Sequence, residues 1–119
     1  MSDATALPQY YARLDGTAPG DPLDVIAEDV VFAIVLPGTS ASGGRAELAR
    51  YVRGRDVPGR RHELLTTSRD GSLELVLGVI TENGTTTGAF SASAHVDANG
   101  LIDRYLVGFA TTVDFPKEH

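Results

Sequence analysis

Four side chains in this sequence have the types needed for proton transfer and for hydrogen bonding to a small ligand: His62, Asp103, Tyr10 and Tyr105. A histidine exchanges protons near neutral pH, so His62, which follows Arg60 and Arg61, could act as acid or base. Its plainer role is a partly solvated, hydrogen-bonded histidine near a strand end. Asp103 could serve as a general base if burial raised its pKa; otherwise it pairs with Arg104 or solvent near a hairpin end. Tyr10 and Tyr105 each carry a hydroxyl on an apolar body, which suits donation to a ligand carbonyl and equally suits core packing. Arg53, Arg55, Arg60 and Arg61 make a basic stretch in an acidic chain, able to attract an anionic group or simply to stay solvated. Asp29 is expected to accept backbone N–H bonds in the turn Ala27-Glu28-Asp29-Val30, with Arg45 as a candidate ion-pair partner.

Other chemistries are excluded by what is missing. The chain has no cysteine, hence no thiolate nucleophile or disulfide. His62 and His95 fall on different strands without a carboxylate at ligand spacing and His119 is terminal, so no metal centre is expected. The Gly38–Gly44 stretch lacks the lysine and the glycine spacing of a phosphate loop, and no nucleotide fingerprint occurs, so no cofactor is expected.

The elements that must position these residues follow from periodicity. Leu7, Tyr10, Tyr11 and Leu14 recur at helical spacing between Thr5 and Leu14, and Asp15, Gly16 and Pro19 end that helix. A second short helix fits Asp21 to Ala27, with Asp21 as N-cap and Pro22 at its first position. The β-branched run Val30–Leu36, closed by Pro37-Gly38, predicts a strand buried on both faces. Gly38–Gly44 is expected to be a flexible loop, and Ala46, Leu48, Ala49 and Val52 predict a third helix over Arg45–Arg53. Four strands follow, Arg60–Arg69, Ser72–Asn83, Thr86–Asp97 and Leu101–Val113, punctuated by Asp70-Gly71, Asn83-Gly84 and Asn99-Gly100. Helices first and consecutive strands afterwards imply an α+β fold, a curved antiparallel sheet forming a cone packed against about three N-terminal helices.

A chain of 119 residues with 42% hydrophobic and 22% charged composition fits one globular domain spanning 1–119. Its net charge of −6 repels phosphate backbones and anionic lipid, so neither nucleic acid nor a membrane is expected as a partner. No apolar run reaches membrane-span length and the first residues lack a secretory pattern, which points to the cytoplasm.

The succession Leu23-x-x-Ile26-Ala-Glu-Asp29-Val-Val-Phe32, Ser42-Gly-Gly-Arg45-x-x-Leu48-x-x-Tyr51 and Val96-x-x-x-Gly100-x-Ile102 resembles the nuclear transport factor 2-like superfamily, which includes ketosteroid isomerase-like and SnoaL-like domains. The resemblance implies a cone that binds hydrophobic small molecules or a sheet that mediates protein contacts. Carried over from ketosteroid isomerase, the helix tyrosine falls on Tyr10, but the base falls on Ile34 and the carboxylic acid on Ala92, neither of which can exchange a proton. The resemblance therefore implies no steroid-type isomerisation. The water-activating aspartate of limonene epoxide hydrolase falls on Val107, and for the SnoaL-type cyclases Asp103 is the nearest last-strand carboxylate.

With Val96 opposite Leu101 across the last hairpin, Phe90, Ala92, Ala94, Asp103, Tyr105, Val107 and Phe109 share the pocket face, and the small alanines leave space. A one-residue slip would set His95 opposite Asp103 instead. On the strand after Asp70-Gly71, Leu73, Leu75, Leu77 and Val79 form an apolar face, while the mixed face with Glu74, Val76 and Ile80 is expected to meet a partner subunit. The functional expectation is a homodimer that binds a small apolar molecule against Ile34, Phe90, Ala92, Ala94, Val107 and Phe109. His62, Asp103, Tyr10 and Tyr105 would then supply acid/base isomerase, cyclase or hydrolase chemistry. The alternative is a non-catalytic dimer acting through its sheet.

Overall fold

The computed structural model describes residues 4–54, 58–113 and 115. Helix α1 (Ala6–Leu14) is followed by a 3-10 turn (Pro22–Val25), strands β1 (Ile26–Leu36) and β2 (Thr39–Gly43), helix α2 (Arg45–Gly54), and strands β3 (Arg60–Asp70), β4 (Leu73–Glu82), β5 (Thr85–Val96) and β6 (Ile102–Ala110). The strands form one sheet in the order β2-β1-β6-β5-β4-β3, antiparallel except for the β1–β6 pair. Bulges interrupt the β1–β6, β3–β4, β4–β5 and β5–β6 ladders. Each bulge bends its strand, so the sheet curves over the helices rather than lying flat.

The capping and turn signals operate as their chemistry requires. Asp21 accepts the Leu23 N–H at 2.9 Å with Pro22 next in the chain, but the segment closes after one 3-10 turn, leaving two α-helices among the described residues instead of the expected three. Asn83 and Gly84 both have positive φ (54° and 87°), the geometry of a two-residue hairpin turn that matches strand twist. Two more sequence expectations are corrected here. Thr39–Gly43 is an edge strand on β1 rather than a loop, and β1 is buried on one face only, since Val31 and Val35 are more than half exposed.

A fourth correction concerns β4. Val76 and Ile80, expected at a subunit contact, belong to the core, and Leu73 and Leu75 point outward. Glu74 explains the choice of face. It is fully buried, and its carboxylate accepts the backbone N–H groups of Thr5 (3.0 Å), Ala6 (3.1 Å) and Leu7 (2.9 Å), with the Thr5 hydroxyl at 3.3 Å. A helix N-terminus has N–H groups without intrahelical acceptors, and no side chain at Thr5 caps them; β4 supplies the acceptor, and its negative charge suits the positive end of the helix dipole. Burial alone would raise the Glu74 pKa. The N–H bonds from Leu7, Thr5 and Ala6, with the charge of Arg69 at 3.8 Å, outweigh it and hold the carboxyl below its ordinary value.

Candidate functional site

Helix α1 lays Leu7, Tyr10 and Tyr11 on the inner face of the sheet and ends at Asp15, whose N–H still reaches the Tyr11 carbonyl at 2.9 Å. A carboxylate at a helix C-terminus faces the negative end of the dipole, a placement that calls for donors elsewhere. His62, near the start of β3, supplies both: its backbone N–H donates to Asp15 Oδ2 at 2.6 Å, and its Nδ1 lies 2.7 Å from Asp15 Oδ1. The two side chains are 1% and 6% exposed, respectively. A carboxylate on Nδ1 selects the tautomer protonated there and makes Nε2 the basic nitrogen.

An aromatic cluster encloses this pair. The His62 ring lies 4.7 Å from the Tyr11 ring at a 30° tilt, 5.3 Å from Phe90 edge-on, and 6.3 Å from Phe109, between centroids. Tyr11 and Tyr105 share a hydrogen bond of 2.6 Å between their hydroxyls, and Tyr10 stands edge-on to Tyr105 at 5.4 Å. Burial, with the neighbouring Tyr11 and Tyr10, pushes the Tyr105 phenol well above its ordinary pKa, so it stays neutral and able to donate.

Of the residues singled out from sequence, His62, Tyr10 and Tyr105 meet in this cluster, whereas Asp103 does not join it. The β5–β6 register pairs Ala94 with Tyr105, Ala92 with Val107 and Phe90 with Phe109, and a bulge between His95 and Val96 displaces Asp103 from the inward alternation. Asp103 instead takes the Nδ1 of outward-facing His95 at 2.6 Å. Ile34, Phe90, Ala92, Ala94 and Val107 are buried core residues, with Phe109 packed against them. The tyrosine rings of α1 pack in the same buried cluster as these alanines. Asp29 is exposed on β1, and Arg45 donates to the Ile26 carbonyl at 2.6 Å rather than to Asp29. Arg55 lies outside the described residues.

Sequence reasoning missed Asp15 and Tyr11. Asp15 reads as a helix terminator and Tyr11 as one more apolar position, but their spacing of four places both on one side of α1. The unfavourable position of a carboxylate at the helix C-terminus is the signal that could have exposed the first of them.

Space remains beside the β3–β4 and β5–β6 strand ends that carry Arg60, Glu82 and Phe109. A cavity of about 210 Å³ lies there, with Leu36, Tyr51, Arg60, Ile80, Glu82 and Phe109 among its walls. Phe109 is thus shared: one side faces this cavity and its ring neighbours His62. At the rim, Arg60 Nη2 approaches Glu82 Oε2 at 3.4 Å, and the Thr87 hydroxyl donates to the same oxygen at 3.2 Å. Among the described residues no group of three or more histidine and carboxylate side chains converges as a metal site, and no helix is long and apolar enough to cross a membrane.

No protein-family model matches the chain, and no curated protein matches it by sequence. Solved structures do. A candidate ketosteroid isomerase from Kribbella flavida is 20% identical with a TM-score of 0.71, over 93% of this chain and 79% of its own. A candidate isomerase of the SnoaL-like family from Agrobacterium tumefaciens is 17% identical with a TM-score of 0.64, over 88% of this chain and 94% of its own. A nuclear transport factor 2-like protein of unknown function from Cytophaga hutchinsonii is 18% identical with a TM-score of 0.63, over 92% of this chain and 93% of its own. At such identities the likeness is one of fold, and function must be argued from the site.

Proposed function

Given that the chain has the nuclear transport factor 2-like fold, we propose that it binds a small, largely apolar molecule at the open end of a cone-shaped sheet and moves a proton on it through His62. The observation that carries this reading is the buried Asp15–His62 pair, set one aromatic ring away from the open-end cavity. Apolar residues at both positions would fill the interior without desolvating a carboxylate, and buried polar pairs of this kind are often costlier than hydrophobic replacements. Asp15 orients the imidazole and His62 exchanges the proton. Tyr105, held neutral, keeps its hydrogen bond with Tyr11 beside it, and Phe109 is the ring that must turn for a ligand to reach the imidazole. The isomerase names of the Kribbella flavida and Agrobacterium tumefaciens proteins agree with proton-transfer chemistry in this fold.

A thermal-shift screen against small aromatic, terpenoid and acyl compounds tests the reading. A ligand at 100 times its Kd stabilises by ~2.7 kcal/mol, roughly 10 °C for a chain of this size. The rise should vanish in Thr87→Trp, where an exposed rim residue is enlarged across the cavity. With a ligand found, His62→Gln should retain binding and lose turnover. Absence of any shift, or a shift indifferent to Thr87→Trp, would overturn the proposal.

A second reading is favoured by the outer face of the sheet. Val31, Val35, Leu73, Leu75 and Leu106 are each more than half exposed there, beside a groove of about 620 Å³ lined in part by Val35, Leu75 and Leu106. Soluble monomers rarely leave such apolar surface open. On this reading the chain acts as a sheet-to-sheet homodimer without chemistry. Sedimentation distinguishes it: Leu75→Lys with Leu106→Lys should convert a dimer to a folded monomer.

A further inference from the structure

The wall of the open-end cavity contains a cation whose hydrogen-bonding capacity is poorly used. Arg60, the first residue of β3, has a guanidinium with five N–H donors. Its Nε is buried with no hydrogen-bond acceptor among the described residues. Its Nη2 makes only the 3.4 Å contact with Glu82, well beyond the ~2.7–2.9 Å of a charge-assisted bond. Glu82 divides its charge with the Thr87 hydroxyl. Apolar residues make up much of the rest of the wall: Leu36, Ile80, Ala89 and the Phe109 ring. A cavity of about 210 Å³ holds one ring with a short substituent, the room of roughly seven waters at ~30 Å³ each.

We infer that the ligand is a small monocarboxylate on an aromatic or alicyclic ring, its carboxylate seated on the Arg60 guanidinium and its ring laid on Phe109. This rests on the ligand-binding reading above and gives it a chemical class. In a chain of net charge −6 an anion gains nothing from the overall field, so the local guanidinium must supply the attraction. Glu82 sets the threshold: it holds Arg60 loosely when the cavity is empty and yields its place to an oxygen pair of better geometry.

Isothermal titration with matched acid and amide pairs, benzoate against benzamide and cyclohexanecarboxylate against its amide, separates the charge contribution from that of the ring. The carboxylates should bind at least ten-fold more tightly than the amides. Arg60→Gln should erase that preference, and Arg60→Lys, which keeps the charge but loses the fork, should erase most of it. Glu82→Gln should tighten the carboxylates several-fold, a gain that no folding defect can imitate. Amides binding as well as acids, or a preference that survives Arg60→Gln, would overturn the inference and leave ligand binding at the open end standing. Failure of all four compounds would overturn it too, and the neutral compounds of the thermal screen would then decide the broader reading separately.

Discussion

Replacing Glu74 with glutamine should unfasten the helix that carries Tyr10, Tyr11 and Asp15. The carboxylate accepts Thr5 and Ala6 N–H on one oxygen and Leu7 N–H on the other, and it is fully buried. Glutamine keeps the volume but offers a single oxygen, and its amide NH₂ must then face N–H groups that need an acceptor. Leaving one or two buried donors unsatisfied costs about 1–3 kcal/mol each, and the loss of negative charge at the helix start adds a few tenths. A total of ~2–3 kcal/mol is a large share of the ~5–15 kcal/mol that holds a typical domain, and it lowers Tm by roughly 10 °C. The pH dependence has a definite sign. The folded pKa of Glu74 is depressed, so its stabilisation is fully present above the unfolded value and is lost as pH falls through the folded pKa. Thermal unfolding of wild type and Glu74→Gln across acidic pH should therefore show a gap that is widest near neutrality and narrows in acid. A Tm within about 2 °C of wild type at pH 7, or a gap that does not change with pH, would refute the role assigned to this carboxylate.

Asp15→Asn should cost only about 1 kcal/mol, since an amide oxygen can still accept the His62 N–H, but its NH₂ must donate to His62 Nδ1 and drive the ring proton to Nε2; long-range ¹H–¹⁵N spectra should report that tautomer. Tyr11→Phe and Tyr105→Phe should each cost about 1–2 kcal/mol by removing the 2.6 Å bond, and chemical denaturation of the double variant should show less than the sum. Because the folded pKa of Tyr105 is raised, its contribution is complete below the unfolded value and is lost as pH climbs toward the folded one, so wild type should weaken in strong alkali more than Tyr105→Phe. Gly78→Ala would set a methyl 2.6 Å from Phe90 Cε1 and 2.7 Å from the Glu63 carbonyl, and should lower stability by ~1–3 kcal/mol in the same assay.

The elements governed by local chemistry were legible in the sequence. Pro22 after Asp21, and Asn-Gly or Asp-Gly between β-rich runs, dictate backbone geometry without help from distant residues, and those turns fall where the pattern sets them. What escaped depends on contacts far apart in the chain. Thr39–Gly43 has no apolar alternation and becomes a strand because the Pro37-Gly38 turn folds it against β1. Alternation in β4 ranks the leucines as the inner face, yet the N–H groups of a helix almost seventy positions upstream draw Glu74 inward and turn the leucines out. The last hairpin kept its inward set, Phe90, Ala92, Ala94, Tyr105, Val107 and Phe109, but a single bulge removed Asp103 from it. In the site, His62 was recognisable by type alone, whereas Asp15 gains meaning only once β3 is known to pass the end of α1.

Two buried carboxylates therefore divide along different lines. Glu74 is explained by the backbone it serves: helix N–H groups must find an acceptor, and an apolar residue at that position would leave them without one. Asp15 serves one backbone N–H, which an asparagine or a shifted carbonyl could satisfy, and the rest of its charge is spent on fixing an imidazole. Stability alone accounts for the first and leaves the second with a surplus. The imidazole it fixes neighbours Phe109, a ring that also lines the cavity to which Arg60 contributes its under-used guanidinium. On the proposed function, the Arg60 cation would hold the anion at the cavity wall and the oriented His62 would move the proton, the two parts that a proton-transfer site for a small organic acid requires.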